Sequence, residues 1–173
     1  QYQVVVNSSA CPGAVNSSAA TLIVTDPTSI LAQPGNLTVC AGSNGSFTVN
    51  ATGSGNTYQW QVSTDGGTTW TNISGANTAT LSLSAITGTS NNNQYRVVIS
   101  TCDPNGLTSN AAILTVNSPA SIGTQPISQS ACTGSNISFN SSATGTGISY
   151  QWQVSTDGGN TWTDINGETN PSL

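Results

Sequence analysis

The sequence predicts an all-β protein, an antiparallel β-sandwich repeated in tandem about every 92 residues. No segment shows the apolar spacing of a helix over about 11 residues. Short runs rich in Val, Ile and Thr alternate apolar and polar side chains, and clusters rich in Gly and Asn separate them. About seven short strands per 92 residues, with turns every 8–12, are typical of a sandwich.

The repeat is visible in several matched stretches. WQVSTDGGTTW at 60–70 returns as WQVSTDGGNTW at 152–162, and Cys40 matches Cys132, both 92 residues apart. QYQVVV at 1–6 matches QYRVVI at 94–99, and Cys11 matches Cys102, with offsets of 93 and 91. These offsets predict three segments: 1–25, the last two strands of a preceding unit; 26–117, a complete domain; and 118–173, the first strands of a following, incomplete unit.

Within one unit, each expected strand alternates between an inward and an outward face. The expected strands are 37–40, 46–51, 58–62, 80–86, 95–99 and 112–116. Alternation places Phe47 and Trp60 in the core, and Tyr95 is also predicted to be a core residue. The repeat predicts the same position for Phe139 and Trp152.

The composition excludes several functions. The chain has one basic residue, Arg96, six acidic residues and no His, and only 4% of its residues are charged, against roughly 25% in ordinary domains. Nucleic-acid binding needs a basic surface, and histidine-based catalysis is impossible. No apolar run approaches the roughly 20 residues of a membrane helix, so no membrane insertion is expected. We predict no catalytic residues, no cofactor and no metal site.

The four cysteines form no C-x-x-C pair and have no His nearby, which argues against zinc. An even number of cysteines in a charge-poor β-protein indicates disulfides formed in an oxidising compartment. The sequence therefore predicts a secreted, extracellular or cell-surface protein.

The pattern resembles immunoglobulin-like domains. Trp60 lies where such domains carry a core Trp on the third strand, and Tyr95 lies near the start of the sixth, like a tyrosine corner. YQWQVSTDGGTTWTNI, NQYRVVIS and SNAAILTV are similar to tandem immunoglobulin-like repeats of large secreted surface proteins in Bacteroidetes-type bacteria, over essentially the whole chain. The resemblance implies an intradomain disulfide displaced outward to Cys40 and Cys102. The resemblance also implies that Cys11 and Cys132 form disulfides with a neighbouring segment or subunit.

The repeated hairpin also resembles the Asp-box, S-x-D-x-G-x-T-W, of sialidase and related propeller blades. Its residues are Ser63, Asp65, Gly67, Thr69 and Trp70 in one copy and Ser155, Asp157, Gly159, Thr161 and Trp162 in the other. In such a turn the Asp accepts backbone N–H groups and the Gly adopts a positive φ. Trp70 and Trp162 either close their own hairpins or offer a stacking surface to a glycan.

The function predicted is that of a non-enzymatic structural repeat in an extracellular filament or cell-surface stalk. Units are expected to join head to tail, by strand complementation or by continuity of the chain. The partners are then copies of the chain or adjacent repeats. The alternative is an adhesive or carbohydrate-binding module of a surface adhesin, with glycans as partners.

Overall fold

The computed structural model describes residues 1–24, 26–100 and 106–173 and confirms the all-β class. Within these residues the one helical element is a 3₁₀ turn at Gly88–Ser90. The first segment contains β1 (Val5–Asn7) and β2 (Ala14–Asn16). The central segment contains β3 (Ser29–Ala32), β4 (Leu37–Cys40), β5 (Gly45–Thr48), β6 (Asn50–Thr52), β7 (Thr57–Ser63), β8 (Thr71–Asn72), β9 (Thr80–Leu83), β10 (Gln94–Ser100), β11 (Leu107–Thr108) and β12 (Ala112–Asn117). The last segment contains β13 (Ser121–Thr124), β14 (Ser142–Thr144), β15 (Gln153–Val154) and β16 (Thr163–Asp164).

The central segment is a sandwich around one apolar core. One sheet has the strand order β4-β12-β10-β7-β8, with β11 also paired to β10 and β4 parallel to β12. The pairs β3–β6 and β5–β9 form the opposite layer. The buried apolar residues between the layers are Phe47, Val49, Trp60, Leu81, Ile86, Tyr95, Val97, Ile99, Ala112, Leu114 and Val116. Phe47 stacks on Tyr95 with ring centroids 4.8 Å apart, and the indole N–H of Trp60 donates to the Thr78 carbonyl at 2.9 Å.

Strand register fixes which loops share an end of this sandwich. Cys40 lies opposite Asn117, the last residue of β12, at what we call the lower end. Ser100, the last residue of β10, lies opposite Thr57 at the upper end. The Tyr95–Ala112 pair lies between these two ends, because β10 runs from it to the upper end and β12 runs from it to the lower end.

The first segment reproduces the pairing of β10 with β11 and β12. Tyr2 pairs with Ala20 as Tyr95 pairs with Ala112. The pairing of Val6 with Val15, through offsets of 93 and 92, likewise corresponds to that of Ile99 with Leu107 in the central unit. The segment is therefore a hairpin equivalent to the last strands of a sandwich.

The last segment reproduces the other strands. The β13–β14 pair corresponds to β3–β6, the β15–β16 pair to β7–β8, and the Asn140–Ser172 bridge to the pairing of Thr48 with Thr80. Within the described residues 118–173, the stretches 129–132 and 149–152 form no strand. Their central counterparts pair only with β12 and β10. The first segment contains strands equivalent to those that pair with these stretches in the central sandwich.

Candidate functional site

The first segment carries an apolar face that packs against no core. Five of its side chains are between 58% and 83% exposed: Tyr2, Val4, Val6, Leu22 and Val24. In the central sandwich the equivalent positions are no more than 6% exposed: Tyr95, Val97, Ile99, Leu114 and Val116. The hairpin therefore presents the inner face of two strands to solvent.

The last segment contains a matching groove. It has a volume of about 840 Å³, and its lining includes Ile122, Ala143, Tyr150, Trp152 and Trp162. It lies on the half-sandwich whose central counterpart is covered by β10 and β12. The groove therefore lies where two further strands would complete the sandwich, and its lining combines these apolar side chains with polar residues such as Gln151 and Gln153.

The aromatic packing of this half-sandwich is already that of the complete unit. The ring centroids of Phe139 and Trp152 are 6.5 Å apart and the ring planes are inclined at 43°. The corresponding values for Phe47 and Trp60 are 6.4 Å and 38°. The Trp152 indole N–H donates to the Asn170 carbonyl at 2.9 Å, as that of Trp60 does to Thr78. Phe139 and Trp152 are only half-buried, whereas their counterparts are fully buried. The groove is therefore formed without the two strands that would cover it.

The two Asp hairpins are closed by their own hydrogen bonds. Asp65 accepts from the hydroxyl of Ser63 at 2.7 Å and from the backbone N–H groups of Thr68 and Thr69 at 3.0 and 2.9 Å. The Thr69 hydroxyl donates to its second oxygen at 2.6 Å. Gly67, at φ 94°, supplies the left-handed turn and donates its N–H to the Ser63 hydroxyl. The carboxylate is thus occupied within the turn.

The second hairpin repeats this network. Asp157 accepts from the Ser155 hydroxyl at 2.8 Å, from the Thr161 hydroxyl at 2.7 Å and from the Thr161 N–H at 2.9 Å. Gly159 has φ 92°. The Thr161 bonds, with that of Ser155, lower the pKa of Asp157 to about 2, and those of Thr69 and Ser63 hold the pKa of Asp65 well below its usual range. In the described part of the chain, no three His, Cys, Asp or Glu side chains cluster as a metal site.

The two hairpin tryptophans differ in their surroundings. Trp70 is half-buried and donates its indole N–H to the Gly67 carbonyl at 3.0 Å. The Arg96 guanidinium lies 4.1 Å from the centre of its ring, held by a 2.8 Å bond to Gln61. One face of Trp70 is therefore covered. Trp162 is 59% exposed.

The three described cysteines lie in loops or at the end of a strand. Cys11, Cys40 and Cys132 are exposed thiols, and no disulfide joins these described residues. The predicted bond between Cys40 and Cys102 falls partly outside the described residues, because Cys102 is among those left out.

The exposed face of the hairpin and the groove of the last segment are candidate features that the repeat predicts and that the alternation within a single strand does not reveal. The available signal was the alignment of 1–6 with 94–99, which equates Val4 with the inward Val97.

The fold and the three segments define a tandem immunoglobulin-like protein. The chain belongs to the family described as "Domain of unknown function (DUF8696)", which matches residues 32–118 and again 121–173. No curated protein matches the chain significantly.

Solved structures of immunoglobulin domains confirm the immunoglobulin-like sandwich. The chain is similar to the I67–I69 fragment of the titin I-band, with a TM-score of 0.57 and 17% identity over 81% of this chain and 48% of that one. It is similar to Ig1+Ig2 of DIP-gamma, with a TM-score of 0.53 and 15% identity over 86% and 82%. For immunoglobulin domains 1–5 of Sidekick-1 the TM-score is 0.55, with 15% identity over 87% and 34%. The chain thus spans less than half of the titin and Sidekick-1 structures, and these identities show the fold alone.

Among the described residues, no helix has the length and apolar character needed to span a membrane.

Proposed function

We propose that this chain is a structural repeat of an extracellular filament or cell-surface stalk, whose units join head to tail by strand complementation. In this arrangement the hairpin 1–24 of one copy, or the equivalent strands of a continuing chain, fills the groove of segment 118–173. The observation that carries the proposal is the equivalence between the five exposed side chains of the hairpin and five buried positions of the central core.

The free energy of this packing is comparable to the cost of bringing two copies together. Fully burying a side chain of this size contributes about 1.5–3 kcal/mol, so five contribute roughly 8–15 kcal/mol before costs. Association of separate molecules costs about 4–15 kcal/mol. Because these ranges overlap, assembly of separate copies should be sensitive to the loss of a single inward side chain.

Two adjacent residues of the hairpin provide a matched test. Leu22 corresponds to Leu114, which is fully buried, and Ile23 corresponds to Thr115, which is exposed. Leu22→Asp introduces a charge on the face that enters the groove, and Ile23→Asp introduces the same charge on the outward face. We expect the unaltered chain and Ile23→Asp to form beaded filaments in electron micrographs, and Leu22→Asp to sediment as a monomer. Equal assembly of the two variants, or an unaltered chain that stays monomeric at every concentration, would contradict the proposal.

Adhesion through the hairpin tryptophans is the alternative function, and a glycan array tests it. Trp162 has the exposed ring, while Arg96 covers one face of Trp70. A specific glycan hit that disappears in Trp162→Ala, while that variant still forms filaments, would favour an adhesive module over a purely structural one. Filament formation must be checked because Trp162 also lines the groove.

A further inference from the structure

We infer that adjoining units are linked by a disulfide between Cys40 of one copy and Cys11 of the copy whose hairpin completes the last segment. This inference rests on the proposed head-to-tail assembly. It replaces the intradomain pairing that the sequence predicts for Cys40.

Cys40 lies beside the junction with the last segment. It is opposite Asn117 in the parallel β4–β12 pair, and the N–H of Ala41 donates to the Asn117 carbonyl at 2.9 Å. The next residue, Ser118, exchanges two hydrogen bonds with Thr146: the Thr146 N–H donates to the Ser118 carbonyl at 3.0 Å, and the Ser118 N–H to the Thr146 hydroxyl at 2.9 Å. The turn at 145–147 is therefore held at the lower end of the central sandwich, where the Cys40 thiol is exposed.

Cys11 would reach the same junction from the incoming hairpin. It lies in the loop between β1 and β2, the equivalent of the loop that connects β10 to β11. In the central sandwich that loop starts after Ser100, which pairs with Thr57 at the upper end. Thr57 corresponds to Ser149, two residues after the turn at 145–147. A hairpin docked in the same register thus carries Cys11 to the end of the completed unit that faces Cys40.

A disulfide between Cys40 and Cys102 of the same unit would have to bridge too great a distance. From the Tyr95–Ala112 pair, Asn117, which lies opposite Cys40, is five residues along β12 in one direction. Ser100 is five residues along β10 in the other direction. At about 3.4 Å per residue, the separation approaches 34 Å. Two further residues of chain span at most about 7 Å, and a disulfide needs Cα atoms within about 7 Å of each other.

The repeat extends the inference to the other two cysteines. Cys132 is Cys40 plus 92, and Cys102 is Cys11 plus 91. Cys132 of one copy would then pair with Cys102 of the next, on the sequence repeat alone. Each junction between copies would carry two disulfides, and all four cysteines of the chain would be used.

Forming each bond is a two-electron oxidation that requires a disulfide oxidant, such as oxidised glutathione or a disulfide oxidoreductase. The Cys11 or Cys40 thiolate attacks the oxidant and forms a mixed disulfide, releasing one oxidant thiol. The second cysteine thiolate then attacks the mixed disulfide and releases the other. The two protein thiols lose two protons and two electrons, and the oxidant disulfide is reduced to two thiols.

An isotope-mixing experiment tests the pairing. Unlabelled and nitrogen-15-labelled reduced chains are mixed, allowed to assemble, and oxidised with oxidised glutathione. The disulfide-linked peptides are then identified by mass spectrometry after proteolysis. We expect a Cys11–Cys40 peptide in which the two halves carry different isotopes, together with a ladder of multimers on a non-reducing gel.

Cys40→Ser should lose that peptide, and Cys132→Ser should retain it. The double variant Cys40→Ser, Cys132→Ser should run entirely as monomer on the gel while its filaments persist in electron micrographs.

The outcomes separate the two proposals. Filaments in which Cys40 stays unlinked, or is joined to Cys102 of the same isotopic composition, would overturn the inter-unit disulfide and leave strand complementation standing. A chain that forms no filaments, with cysteines reduced or paired within one molecule, would overturn both.

Discussion

Truncating equivalent leucines in the hairpin and in the central sandwich should have different consequences. Leu114 is fully buried, and Leu→Ala at such a site costs about 2–5 kcal/mol through lost apolar contacts and the remaining cavity. Leu22 is its counterpart in the hairpin and is 63% exposed. We therefore expect Leu114→Ala to lower the free energy of unfolding of the dilute monomer by about 2–5 kcal/mol. For Leu22→Ala the change should stay within about 0.5 kcal/mol.

Leu22→Ala should have the larger effect of the two variants when assembly, rather than monomer stability, is measured. Docked in the groove, Leu22 occupies the environment of Leu114, so its truncation removes packing at the junction between copies. Urea titration of dilute monomer and analytical ultracentrifugation across a concentration series measure the two quantities on the same samples. An equal loss of monomer stability in the two variants would show that the hairpin is already packed within its own chain. Unchanged assembly of Leu22→Ala would show that the hairpin does not enter a core.

Three further outcomes follow from the Asp hairpins and from the loop 53–56 between β6 and β7. Because the pKa of Asp157 is lowered to about 2 from an unfolded value of about 3.9, its contribution to stability should be complete above about pH 4 and lost as pH falls through about 2. An acid titration followed by circular dichroism should show this dependence. Asp157→Asn should weaken it, and the remainder should come from Asp65, whose pKa is also lowered. Gly53→Ala should destabilise more than Gly55→Ala in thermal unfolding, because both glycines have positive φ but a Cβ at Gly53 would also lie 3.1 Å from the Thr28 Cα. Arg96→Gln should lower stability by about 0.5–1 kcal/mol through loss of the cation–π contact and change the fluorescence of Trp70; an unaltered spectrum would contradict that contact.

The strands that alternation predicts best are those with a buried face. The range 37–40 matches β4, and the inward positions of 95–99 are the buried positions of β10. The predicted strand 80–86 was too long: β9 ends at Leu83, and Ala85 has φ 47°, a left-handed conformation that interrupts pairing. Ile86 is nevertheless buried, so burial at that residue does not require a strand.

The predicted set omitted the short strands β3, β8 and β11. β8 and β11 have two residues each, and β3 is almost wholly exposed, so none shows a period that can be read from the sequence. Their pairing depends on neighbours that are distant in the chain. For Cys40 the sequence predicts a place at the end of a strand, but only the parallel β4–β12 register shows which end of the sandwich it occupies.

The hairpin 1–24 and the groove of segment 118–173 are both ordered before they would meet. This order favours strand complementation over aggregation through exposed strand edges. In the hairpin, Val4 accepts the Ser17 N–H at 2.9 Å, and the Val4 N–H donates to the Ser17 hydroxyl at 3.0 Å. Val97 and Ser109 make the same two bonds at 2.9 and 3.0 Å inside the complete sandwich. Because the hairpin holds the register of the docked strands, docking avoids much of the ordering cost that a disordered segment would incur. A one-residue slip would turn the apolar face outward, so the preformed register also selects the docking that brings Cys11 to the junction.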